Sequence, residues 1–87
     1  MAQKKLVLGD EYDDHLFAHL FAVLQGMGAK IGKMDKQIGG SQVVQTWVVK
    51  LAGRTLVIEG ETYMGLSIEG DETDVDMVAL RVAQRQI

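Results

Sequence analysis

The sequence predicts an α+β domain: an antiparallel sheet in the order β-α-β-β-β-α with two helices packed on one face. Three observations lead there. "HLFAHLFAVLQGMGA" (15–29) and "DETDVDMVALRVAQRQI" (71–87) carry helical periodicity. Between them apolar residues alternate with period two, and glycine supplies the turn signals in a chain without proline. The alternation also closes in register across the proposed hairpins, as shared burial of one face requires.

The elements follow in chain order. "KKLVL" (4–8) reads as a short strand ended by Gly9 and Asp10. Asp10 can cap the next helix, with Asp13 and Asp14 in its first turn favouring the dipole. Leu16, Leu20, Val23, Leu24 and Met27 form that helix's apolar stripe, and Gly26 and Gly28 mark its end. "KIGKMDKQI" (30–38) makes a poor strand whose lysines suit a sheet edge, and "GGS" (39–41) is a turn. "VVQTWVVKLA" (43–52) places Val43, Trp47, Val49 and Leu51 on one face, with Gln45 the exception, and Val44, Thr46, Val48 and Lys50 on the other.

"RTLVIE" and "TYMGLSIE" group Leu56 with Ile58, and Met64 with Leu66 and Ile68. A two-residue loop containing Gly53 pairs odd with even positions, so Trp47 and Val49 share a face with Leu56 and Ile58. The next connection must pair even with even, which calls for a three-residue loop at Glu59, Gly60 and Glu61, or a bulge. In the final helix Asp71 or Thr73 is the cap, Arg81 and Arg85 lie near the end, and Val75, Val78, Ala79 and Val82 face inward.

Length and composition narrow the function classes. Eighty-seven residues, 47% hydrophobic, make one domain (1–87) with one small core. The chain has no cysteine, which excludes disulfides, thiol catalysis and iron–sulfur ligation and favours a reducing interior. "MAQKKLVLGDEYDD" does not read as a signal peptide, and the uncharged run is too short to span a bilayer. A cytoplasmic protein without membrane contact is expected. Net charge is −3, and the nearest approach to a basic cluster, Lys30, Lys33 and Lys36, is interrupted by Asp35 and lacks aromatic neighbours, so no nucleic-acid partner is expected.

"GAK" (28–30), the lone tryptophan in "QTWVVKLAGRTLVIEGE" and "YMGLSIEG" resemble a family of small uncharacterised bacterial βαβββα proteins. The resemblance covers most of the chain and implies the fold. It implies no activity.

Catalytic patterns are absent. Ser41 and Ser67 lack a nucleophile elbow, "GGSQ" lacks the lysine of a phosphate loop, and "GMGAKIG" follows a helix where a dinucleotide fingerprint follows a strand. No catalytic residue, cofactor or metal is expected. His15 and His19, one helical turn apart, have the spacing of a metal half-site, but a zinc site needs at least three protein ligands and the chain has no further histidine. The plainer reading has both rings covering apolar surface with polar tips in water.

Three surfaces could meet a partner. Val44, Val48, Val57 and Tyr63, with Thr46 and Thr55, form an apolar strip on the sheet face away from the helices. Ala18, Ala22 and Gly26 form a small-residue ridge with Phe21 beside it, suited to close packing by the C-terminal helix or, less readily, by a second chain. Glu69, Asp71, Glu72, Asp74 and Asp76 concentrate negative charge at a helix start, where capping and dipole account for most of it. The reading adopted is a non-enzymatic protein–protein interaction domain, a homodimer or the partner of another protein. The alternative is an acidic, antitoxin-like inhibitor binding a basic enzyme through 69–76.

Overall fold

The computed structural model describes residues 2–84. Seven elements follow one another: β1 (Gln3–Gly9), α1 (Asp14–Gly26), β2 (Lys30–Gly39), β3 (Gln42–Leu51), β4 (Arg54–Glu61), β5 (Gly65–Asp71) and α2 (Glu72–Ala83). All five strands form one antiparallel sheet in the order β1-β5-β4-β3-β2. The α+β class with both helices on one face is as expected, with one strand more than the predicted order. The lysine-rich 30–38 segment, which reads poorly as a strand, is a ten-residue edge strand held along its length by β3. Backbone pairing through the tight Gly40–Ser41 turn outweighs its weak side-chain pattern.

The predicted register holds between β3 and β4. Trp47 pairs with Ile58 and Val49 with Leu56 across a two-residue turn in which Ala52 and Gly53 both have positive φ (52° and 79°). Those angles belong to the hairpin turn whose twist matches the strands. Between β4 and β5 the parity is also as predicted, since Ile58 pairs with Ile68. The three-residue connection lies later, at Thr62, Tyr63 and Met64, and β4 runs on through Glu61. Thr62 holds it there: its Oγ1 accepts from the Val43 N–H at 3.0 Å, and its own N–H donates to the Val43 carbonyl.

The first helix also starts later than predicted. The Asp10 side chain accepts from the Tyr12 N–H at 2.7 Å and closes a turn, so the cap falls to Asp13, which accepts from the Leu16 N–H at 3.0 Å. The helix ends as expected. Ala29 N–H donates to the Leu24 carbonyl and Gly28 N–H to Gln25, with Gly28 at φ 85°, the paired bonds of a Schellman stop. Asp71 caps α2 by accepting from Thr73 and Asp74 N–H. Arg81 sits in the last turn, and Arg85 lies outside the described residues.

One core joins the layers. Leu16, Leu20 and Leu24 of α1 and Val75, Val78 and Val82 of α2 close over Val49, Leu51, Leu56, Ile58, Leu66 and Ile68 of the sheet. Beside it Trp47 meets the rings of Phe17 and Phe21 edge-on at 5.0 and 5.4 Å. This contact fastens the β2–β3 hairpin to α1. Phe21, expected beside the small-residue ridge, therefore belongs to the packed side of the helix. The thirteen residues of α1 reach about 20 Å, whereas a ten-residue strand reaches about 33 Å. The hairpin consequently overhangs the helix layer, leaving Met34 and Ile38 exposed.

Candidate functional site

Among the described residues the sheet has a helix layer on one side only, so its other face is open to a partner. Pairing register fixes what that face carries. One row across the strands reads Lys5, Glu69, Val57, Val48, with Gly32 and Lys33 bulged opposite Val48. The next reads Val7, Ser67, Glu59, Thr46 and Asp35. On the other side lie Asp71, Thr55, Lys50 and Lys30, where Lys50 donates to the Thr55 hydroxyl. Val44 sits between Glu61 and Gln37.

Val44, Val48 and Val57 thus share the outer face as the alternation predicts, with Val48 45% exposed and the other two half-buried. Tyr63 does not join them. It occupies the β4–β5 turn at φ 70°, is 76% exposed, and its N–H donates to Glu11 Oε2 at 2.8 Å. The shift of the turn to 62–64 removes it from the strand. Lys5 crosses β5 to reach Glu59 at 3.2 Å, separating Val7 from the valines of β3 and β4. The strip is therefore apolar at its centre and charged around it.

The small-residue ridge is open. Ala18, Ala22 and Gly26 are all exposed, which corrects the expectation that α2 would cover them. The two helices meet through their core-facing residues instead. His15 is exposed and His19 half-buried, with Nε2 of His19 enclosed and without a hydrogen-bond partner among the described residues. No group of three or more metal-ligating side chains occurs among the described residues.

The acidic segment is largely engaged within the fold. Asp71 caps α2. Asp76 accepts from Lys4 Nζ at 2.7 Å, and that hydrogen bond, with the opposite charge, raises the lysine pKa. Asp74, only 4% exposed, accepts two bonds from Arg54, at 2.6 Å from Nε and 2.9 Å from Nη2. The Arg54 hydrogen bond holds the Asp74 carboxyl below the usual carboxylate range, against the opposing effect of burial. Glu69 and Glu72 remain exposed and have no ion-pair partner among the described residues. Sequence reasoning missed the Arg54–Asp74 pair because nothing local links a residue after a hairpin turn to one twenty positions later.

Two depressions flank these elements. One, of about 440 Å³, lies between Glu11, Tyr12 and Asp14 before and at the start of α1 and a floor of Val43, Gln45, Gly60 and Thr62. It is the uncovered base of the overhanging hairpin. The other, of about 450 Å³, is lined by Gln3, Arg54, Thr55, Val57, Glu69, Gly70 and Asp71. No helix among the described residues is long and apolar enough to cross a membrane. No family model, curated protein or solved structure matches the chain.

Proposed function

We propose that this chain is a cytoplasmic, non-enzymatic protein-interaction domain that associates with itself through the open face of its sheet. One observation carries the reading: five paired strands have helices on one side only, and the bare side has Val48 and Val57 directly opposite each other at its centre. An exposed and a half-buried valine ringed by threonine and charged residues match the composition of an interface with an apolar middle and a polar rim. Reversible dimerisation would also add stability to a domain small enough to have little margin. The engagement of Asp71, Asp74 and Asp76 inside the fold leaves few free carboxylates for the rival inhibitor reading.

Light scattering on a size-exclusion column over a hundredfold concentration range tests the proposal. The native chain is expected to move from monomer towards dimer as concentration rises. Val48→Lys is expected to hold it monomeric with an unchanged circular dichroism spectrum. A native chain that is monomeric throughout, or a Val48→Lys variant that associates as the native chain does, refutes it.

A further inference from the structure

We infer that the second copy docks face to face about a twofold axis running along the β3–β4 seam, so that β5 of each copy lies over β2 of the other. The inference rests on the proposed self-association and specifies its geometry. Four strands share the row pattern on the outer face in the order β5-β4-β3-β2. A twofold axis parallel to the strands and midway between β4 and β3 exchanges those two strands, and it also exchanges β5 with β2. With strands about 4.8 Å apart, β5 and β2 each stand about 7 Å from the seam on opposite sides. They therefore superpose across the interface.

The side chains brought together by that operation are complementary at the centre and towards the β3–β4 turn, while at the far end Val44 of each copy meets Glu61 of the other. Val57 meets the other copy's Val48 at the centre, because the two share one row. Glu69 shares that row on β5, and Lys33 lies in it at the β2 bulge opposite Val48. The axis thus sets Glu69 of each copy against Lys33 of the other. One row further along, Asp71, whose carboxylate also caps α2, lies over Lys30, since Asp71 and Thr55 line one depression and Thr55 and Lys50 carry the row across to Lys30. Every such contact occurs twice. Lys30, Lys33 and Glu69 are exposed and have no ion-pair partner among the described residues, so each is free to pair across the interface.

The surface shape agrees with the charge. The depression of about 450 Å³ lined by Glu69, Asp71, Thr55 and Val57, and by Arg54, whose charge is paired with Asp74, lies on the β5–β4 side, where the lysines of the opposing β2 would enter. A twofold axis across the strands through the central row would instead set each strand against itself, bringing Glu69 of one β5 onto Glu69 of the other and Lys33 of one β2 onto Lys33 of the other. The axis along the seam avoids this. Aligned packing of two twisted sheets at about −30° accommodates the arrangement. Four strands about 19 Å across and about 25 Å long bury on the order of 1,000 Å² in total, the lower bound of a specific interface. A reversible dimer follows, which is why concentration enters the test.

Charge exchange distinguishes this geometry from any other use of the same face. Lys33→Glu alone places two acidic pairs in the dimer, and Glu69→Lys alone places two basic pairs. Each is expected to weaken self-association about tenfold by sedimentation equilibrium, both positions being exposed, with circular dichroism checking that Glu69→Lys, opposite Lys5 on β1, keeps the fold. Mixing the two variants in equal amounts sets opposite charges against each other at both contacts. The mixture is expected to recover dimer affinity within about threefold of the native chain, as is the double variant Lys33→Glu/Glu69→Lys. A mixture no tighter than its components overturns the inference. If Val48→Lys still dissociates the native dimer in that case, the sheet-face reading survives and only the docking geometry fails; a native chain without any dimer removes both.

Discussion

Replacing Arg54 by alanine isolates the contact that ties the second helix to the β3–β4 hairpin. Asp74 sits in the first turn of α2, 4% exposed, and the two Arg54 bonds of 2.6 and 2.9 Å lie in the fork geometry that a guanidinium offers a carboxylate. Removing the arginine leaves a buried carboxylate whose remaining support is the helix N-terminus. Loss of one partner of a fully buried pair costs about 3–5 kcal/mol, and the half-exposed arginine scales this down to about 1–2 kcal/mol. For a domain of this size the thermal midpoint at pH 7 should fall by roughly 5–12 °C.

The pH dependence supplies the sharper criterion. The folded-state pKa of Asp74 lies below its unfolded value, so its contribution is present in full above the unfolded pKa and is lost as pH falls through the folded one. Urea unfolding of native and Arg54→Ala chains at pH 7 and pH 3 should therefore show a gap that narrows at the lower pH. A gap of less than about 0.5 kcal/mol at pH 7, or one equally large at both pH values, refutes the reasoning.

Two further substitutions test how the chain is held in register. Gly65→Ala would place a Cβ 2.7 Å from the Gly9 carbonyl oxygen at a residue with φ 96°, and a loss of about 2 kcal/mol or more in urea unfolding is expected. Asp13→Ala should cost about 1 kcal/mol by removing the acceptor of the Leu16 N–H, while Asp10→Ala, which disturbs only the preceding turn, should cost less; the reverse order by thermal melts would restore Asp10 as the cap.

The core was legible because its signals are local and repeated. Val49, Leu56, Ile58 and Ile68 alternate, Leu16, Leu20 and Leu24 recur at helical spacing, and parity across the Gly53 turn links the strands without reference to distance. The errors have local competitors. Asp10 and Asp13 are equally good caps by type, and a turn closed by Asp10 on Tyr12 decided between them. Thr62 looks like any polar strand residue, yet its hydroxyl bond to Val43 extended β4 and carried Tyr63 into a turn. Asp74 and Arg54 belong to different elements, so neither one's surroundings announce the other. Gln45, the polar exception on an apolar face, was a signal unread: it lies where the sheet runs past the end of α1, over the bare floor with Gly60 and Thr62.

That same overhang sharpens the choice of interface. Ile38 is 69% exposed and Met34 43%, comparable to or above Val48 at 45%, so exposure by itself would favour the hairpin's helix-side surface over the outer face. Extent and charge decide otherwise. The overhang is two strands wide, about 10 Å, with Lys36 set between Met34 and Ile38, and a patch of that size is ordinary on a monomer. The outer face offers four contiguous strands, an apolar row at their centre, and acids and lysines at equal distances on opposite sides of it. A surface that carries its own complement across a symmetry axis can bind its copy without any new sequence, and the lysines that guard the β2 edge against strand addition are the ones placed to meet Glu69 and Asp71.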